Sequence, residues 1–237
     1  MTGVKRISIL AVCSLLLSAC NPSILSNNCP PNVVIEWANV VMINDIQYEH
    51  AFPEPADENT SPSIEKGHKI GEVTYQMADH ACSNHQMKNG DAAFLEEGTP
   101  LYEIKGYPPS LMVAANNQVY TATDNKKAKT VGELYPVTGL VKDIHIESSE
   151  DGRRLHTFPP SSKDRFLQSW HSLKLEDIES FYKKDASEGE QIFLEIELNN
   201  GISFRQVYWT DSNTFNNGAT GDEEIEKIIK EEVAVIP

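Results

Sequence analysis

The chain has 237 residues, with 35 Asp and Glu against 20 Lys and Arg, for a formal net charge of −15. That balance argues against nucleic acid as a partner, because phosphate backbones are held by clustered Lys and Arg that replace counterions. It argues equally against adhesion of the body to anionic lipid through charge.

The first twenty residues offer another route to a membrane. Lys5 and Arg6 precede an apolar run from Ile7 to Leu17. A spanning helix needs about 20 apolar residues, so this run is too short to cross permanently and reads as the core of a signal peptide. Leu17-Ser18-Ala19-Cys20 resembles the bacterial lipobox. The resemblance implies cleavage before Cys20 and a diacylglyceryl group on the Cys20 sulfur. The small side chains of Ser18 and Ala19 suit a peptidase groove, and two acyl chains give stable anchoring where one gives only marginal binding. The expected location is the outer face of the bacterial cytoplasmic membrane, with residues 1–19 as signal peptide and 20–32 as lipidated tether. Cleavage removes Lys5 and Arg6 and no acid, taking the charge from −15 to −17. No later apolar run approaches the length of a span.

Of the four cysteines, Cys13 leaves with the signal and Cys20 takes the lipid, so Cys29 and Cys82 remain. Outside the cytoplasm they can form a disulfide. Closing that loop is worth roughly 3–4 kcal/mol in the chain-entropy description. The alternative is two free thiols.

Asn21 to Asn32 is polar and carries Pro22, Pro30 and Pro31, which favour extended backbone. Val33–Trp37 and Val40–Tyr48 are rich in β-formers and are predicted as strands. Phe52–Gly67, with its prolines, acids and Ser/Thr, is predicted as a surface loop. Ile70–Tyr75 alternates as a strand should. Asn89-Gly90 marks a turn before Ala92–Leu95, and Glu97-Gly98-Thr99-Pro100 turns into Leu101–Ile104. Asn116-Asn117 separates Leu111–Ala115 from Val119–Thr123 as in a hairpin. Short strands at this spacing suggest a small barrel or sandwich.

The run IGEVTYQM…NGDAAFLEEGTPLYEIKGYPPSLMVAANNQVYTA resembles a module of surface lipoproteins of Bacillus-type bacteria. The shared features are Ile-Gly-Glu-Val, Asn-Gly-Asp-Ala-x-Phe-Leu-x-x-Gly-Thr and Tyr-x-Ile-x-Gly-Tyr. The likeness covers about Ile70 to Leu134 and, more loosely, Trp37 to Tyr48. It implies a β-rich fold, and no catalytic residue can be carried over from it.

Beyond the basic turn at Lys126–Lys129 the rhythm changes. Val137–Ile146 is predicted as a strand, followed by a charged turn around Asp151-Gly152. Pro159-Pro160-Ser161-Ser162 opens a helix with Phe166, Leu167 and Trp170 on one face. Leu173–Tyr182 is read as a strand. Ile192–Leu198 and Ile202–Trp209 form a hairpin across Asn199-Asn200-Gly201. Phe193, Glu195 and Glu197 share one parity and Ile192, Leu194, Ile196 and Leu198 the other, which predicts one wet and one buried face. Thr220-Gly-Asp-Glu223 has capping-box spacing ahead of a helix with Ile225, Ile228, Ile229 and Val233 at helical period. The expected fold class is α+β and mostly antiparallel, with a barrel- or sandwich-like module at 33–134 and a sheet-plus-helix module at 135–237.

The densest cluster of candidate ligands is His80, Cys82, His85 and Met87, whose imidazole and sulfur groups suit Zn or Cu if Cys82 is a thiolate. A Cys29–Cys82 disulfide competes directly with that reading. No Gly-x-Ser-x-Gly elbow and no Walker or Rossmann glycine pattern is present. The acidic clusters Glu96-Glu97, Asp222–Glu224 and Glu231-Glu232 are read as solvated faces. Trp37, Trp170, Trp209, Tyr102 and Tyr208 are expected to be mainly core, with Tyr107, before two prolines, as the exposed exception. The favoured function is a non-enzymatic binding or interaction module, anchored through Cys20 and without a cofactor, for a protein or envelope ligand. The alternatives are metal capture at the His80–Met87 cluster and a cell-envelope hydrolase with a scattered site.

Overall fold

Two sheets take up the β-forming segments in the computed structural model of the chain, whose described residues are 29, 36–50, 64–177, 181 and 186–236. The lipobox, the tether apart from Cys29, and residues 52–63 of the loop expected at Phe52–Gly67 lie outside those residues, while Lys66 and Gly67 are in a strand rather than a loop. Most of the strand expected at Val33–Trp37 also lies outside them, and Glu36–Ala38 is not in a strand.

The first sheet has eight strands: β1 (Val40–Ile43), β2 (Ile46–His50), β3 (Lys66–Glu72), β4 (Tyr75–Gln76), β5 (Asp91–Ala92), β6 (Pro100–Ile104), β7 (Met112–Ala115) and β8 (Gln118–Asn125). Their order is β3-β6-β7-β8-β2-β1-β5-β4, and every pair is antiparallel except β4–β5. The sheet curls into a half-barrel. Val40–Tyr48 is therefore a hairpin and not one strand. Asn44 and Asp45 take φ values of 56° and 66°, the left-handed geometry that a two-residue hairpin loop requires and that Asn and Asp tolerate. The hairpin at Asn116 forms as its sequence predicts, with Asn116 at φ 53°. Gly90, at φ 95°, lies so close to Thr74 that an added Cβ would sit 2.2 Å from Oγ1. Two helical turns escaped the pattern reading, α1 (Met77–His80) and α2 (Val131–Leu134). The second is capped by Thr130, whose hydroxyl accepts from the Glu133 N–H at 3.3 Å.

The second sheet is antiparallel throughout: β9 (Val141–Glu147), β10 (Arg154–Thr157), β11 (Gln191–Leu198), β12 (Ser203–Trp209) and β13 (Thr214–Phe215), in the order β10-β9-β11-β12-β13. Helices α3 (Pro160–Ser172) and α4 (Glu223–Val233) supply the apolar layer, with Phe166, Trp170, Ile225, Ile228 and Ile229 buried. The observed architecture is α+β with mostly antiparallel strands.

Three local expectations fail here. The described residues of Leu173–Tyr182 form no strand: Lys174 and Leu175 make isolated bridges to Thr130 and Ala219, and Phe181 is helical, its N–H bonded to the Asp177 carbonyl. The terminal helix is capped by Asp222 rather than Thr220, since the Asp222 carboxylate accepts from the Ile225 N–H at 2.9 Å. Thr220 is instead bridged to Thr214. Finally, the acids of that helix do not all face water. Glu232 is buried against His156 at 2.6 Å, and Arg165 takes Glu224 at 2.6 Å and Glu231 at 3.4 Å.

Apolar side chains from both sheets belong to one buried cluster that runs from Val41, Tyr48 and Leu101 to Leu194, Ile196 and Ile229. Tyr135 stands where the halves meet. Its ring stacks on Trp170 at 5.4 Å and on Phe204 at 5.1 Å. Tyr107 is half-buried against the same cluster, so it is not the exposed aromatic its two prolines suggested.

Candidate functional site

A cleft of about 390 Å³ opens between the two sheets. One wall comes from β2 and β8. Glu49 and Thr121 stand directly opposite each other in the β2–β8 register, so their side chains share a face. Opposite them are Phe204 and Gln206 of β12, with Asn216 and Asn217 from the turn after β13 at the rim. Tyr135 lines the cleft between the walls.

The polar groups of the second wall are locked by one another. The Gln206 amide donates to the Arg205 carbonyl at 3.0 Å and accepts from Asn217 Nδ2 at 3.0 Å. Asn216 Oδ1 accepts from the Val207 N–H, and Asn217 Oδ1 from the Ala219 N–H. Burial pushes the Tyr135 hydroxyl up to about 12, against a hydrogen bond with Gln206 that lowers it, so it stays a neutral donor and acceptor at neutral pH. On the first wall, His50 Nδ1 meets the Val119 carbonyl at 2.9 Å. A carbonyl only accepts, so Nδ1 carries the proton in the neutral ring. Burial holds the Glu49 carboxyl above its ordinary range. Thr121 is only 5% exposed, and its Oγ1 has no hydrogen-bond partner among the described residues.

A second polar constellation covers the sheet face opposite α3 and α4, and it overturns the expectation that Glu195 and Glu197 lie on a wet face. Both carboxylates are buried, with the Glu195 side chain at 0% exposure. Arg154 of β10 reaches across β9 to hold Glu195 with two hydrogen bonds of 2.6 and 2.8 Å and to pair with Glu197 at 3.0 Å. Arg205 of β12 reaches the other way, to Glu147, at 2.5 and 3.1 Å. Lys142 takes the other oxygen of Glu197 at 2.6 Å. Burial raises the Glu195 and Glu197 carboxyls, but the hydrogen bonds from Arg154 and Ser203 to Glu195, and from Lys142 and His145 to Glu197, bring both below the ordinary value. Parity along β11 could not reveal this, because the covering arginines belong to other strands.

Asp143, His145 and Glu197 have ligand atoms within 4.8 Å of one another, the only such His/Cys/acid group among the described residues. The donor set does not suit a cation. Glu197 is already bound by Lys142 and Arg154, and His145 Nε2, 3.1 Å from a Glu197 oxygen that can only accept, is the protonated nitrogen. The His80–Met87 cluster is not assembled as a ligand set either. Cys82 is bonded to Cys29, with Cα atoms 5.0 Å apart, so it has no thiolate to offer. His85 binds Asp91 at 2.7 Å, and the rings of His80 and His85 both lie against Tyr75.

Compared with protein-family models, curated proteins and solved structures, the chain matches none. The cleft residues were not visible as a site in the sequence. Glu49, Thr121, Tyr135 and Gln206 lie in separate segments whose convergence depends on sheet order. Glu49, Thr121 and Gln206 are polar side chains on strands, and Tyr135 follows the short helix α2.

Proposed function

We propose that this chain is an extracytoplasmic lipoprotein, held to the membrane by lipid on Cys20, whose body is a non-enzymatic binding module. The signal-like first twenty residues and the lipobox support the anchor, and the net negative charge leaves the lipid as the route of attachment. No helix of the described residues is long and apolar enough to cross a membrane.

The observation that carries the binding reading is the inter-sheet cleft, concave, of ligand size, and lined by polar groups fixed in place before any ligand arrives. Fixed amides and hydroxyls suit recognition. The reading has two tests. Cys20→Ser should move the chain from the membrane fraction to the soluble fraction with its far-ultraviolet circular dichroism unchanged, and retention in membranes would refute the anchor. Turnover of cell-wall or peptide substrates by the purified full-length protein would refute the non-enzymatic reading.

A further inference from the structure

The cleft has features that narrow the class of its ligand, on the reading above that it is a binding site. Thr121 sits on a central strand, where valine would fill the same space without a polar atom. Its hydroxyl is buried and unpartnered among the described residues, an arrangement that costs stability in the free protein. Thr121 belongs to the cleft lining, so a ligand seated against it is the group placed to supply the missing partner of a hydroxyl that water does not reach.

The remaining groups say what kind of partner. The Gln206, Asn216 and Asn217 amides each carry donors and an acceptor, and the Tyr135 hydroxyl is neutral. The guanidinium of Arg205 is bound by both Glu147 oxygens on the far face of the sheet. Apart from Arg205, the one basic side chain of the lining is the His50 ring, whose Nδ1 is engaged by the Val119 carbonyl, and the charge of −15 repels an anion at a distance. A cation finds one carboxylate, Glu49, whose ionised form is itself disfavoured by burial. Amides, hydroxyls and one carboxyl beside Phe204 and Tyr135 suit a ligand whose hydroxyls both donate and accept and whose ring carbons are apolar. At about 390 Å³ the cleft has room for a mono- or disaccharide.

We propose that the cleft between the two sheets binds a neutral saccharide, with the Thr121 hydroxyl making a hydrogen bond to the sugar that the free protein leaves unmade. The test is isothermal titration of the full-length, detergent-solubilised protein with glucose, maltose, cellobiose and N,N′-diacetylchitobiose, and with glucose 6-phosphate and spermidine as charged probes. At least one neutral sugar is expected to bind. Thr121→Val should weaken that binding about tenfold while raising the melting temperature, and Thr121→Ser should restore it. If no neutral sugar binds, or if Thr121→Val binds as tightly as the parent, the saccharide assignment is overturned. Tight binding of spermidine that Glu49→Gln abolishes, or of glucose 6-phosphate, also overturns it, yet leaves the cleft a binding site. Hydrolysis of any sugar in the panel overturns the non-enzymatic reading instead.

Discussion

Arg154→Met isolates what the buried charge ladder contributes. The substitution keeps the apolar stem that crosses β9 but removes both hydrogen bonds to Glu195 and the ion pair with Glu197. Breaking a buried pair from one side costs about 3–5 kcal/mol, because the remaining charge is left uncompensated. Arg154 is 44% exposed, so water can follow the missing guanidinium towards Glu195, and the expected loss falls to about 2–3 kcal/mol. The pH dependence fixes the cause. Glu195 is held below its ordinary 4.5 in the parent, so its contribution is full above that value and fades as pH falls through the folded-state value. In the variant the guanidinium is gone and burial dominates, so Glu195 titrates above 4.5 and acid relieves the penalty. Urea denaturation of the two proteins at neutral pH and at about pH 3 should show the difference in stability shrinking in acid. Glu195→Gln should cost less, about 1–2 kcal/mol, and the double variant less than the sum of the two. A loss that is the same at both pH values would refute the charge argument and leave packing as the cause.

Other parts of the structure are open to the same measurement. Trp170→Ala should cost about 3–5 kcal/mol by urea denaturation, since Trp170 is wholly buried and stacks with Tyr135 and Phe166. Asp222→Ala removes both the α4 cap and the partner of the Ser169 hydroxyl, and should lower stability by about 1–2 kcal/mol. Replacing Cys29 and Cys82 together by serine opens a loop with a sequence separation of 53 and should cost about 2–4 kcal/mol, read as a lower denaturation midpoint under non-reducing conditions.

What could be read from the sequence was what is local. Asn116-Asn117 and Asn199-Asn200-Gly201 announce their hairpins because the turn chemistry is written in two or three neighbouring residues. The same kind of signal was present at Asn44-Asp45, inside a run of β-formers that masked it. The apolar stripe of α4 was legible from its period, but its cap was not. Thr220 and Asp222 are both capping residues, and only the helix start separates them. The cleft and the ladder were illegible for a common reason. Each depends on which strands lie side by side, and the order β10-β9-β11-β12 cannot be deduced from parity along one strand. Glu195 and Glu197 thus read as solvent-facing until the reach of Arg154 across β9 is known.

That ladder also bears on metal binding. A His and two carboxylates within 4.8 Å match a common ligand inventory for a divalent cation, but inventory is not availability. To bind Zn²⁺, Glu197 would have to release Lys142 and Arg154, and His145 would have to surrender the Nε2 proton that now faces the Glu197 carboxylate. A site that bound Zn²⁺ would gain about 2.7 kcal/mol of stability at a hundredfold excess of metal over its dissociation constant, several degrees in melting temperature for a chain of this size. We expect a shift below about 1 °C in the parent protein on adding Zn²⁺ or EDTA, measured by thermal denaturation. Lys142→Ala, which frees one Glu197 oxygen beside Asp143, should respond to Zn²⁺ more strongly than the parent. A shift of several degrees in the parent would show that Lys142 and Arg154 yield to metal, and that these ion pairs guard a cation site rather than replace one.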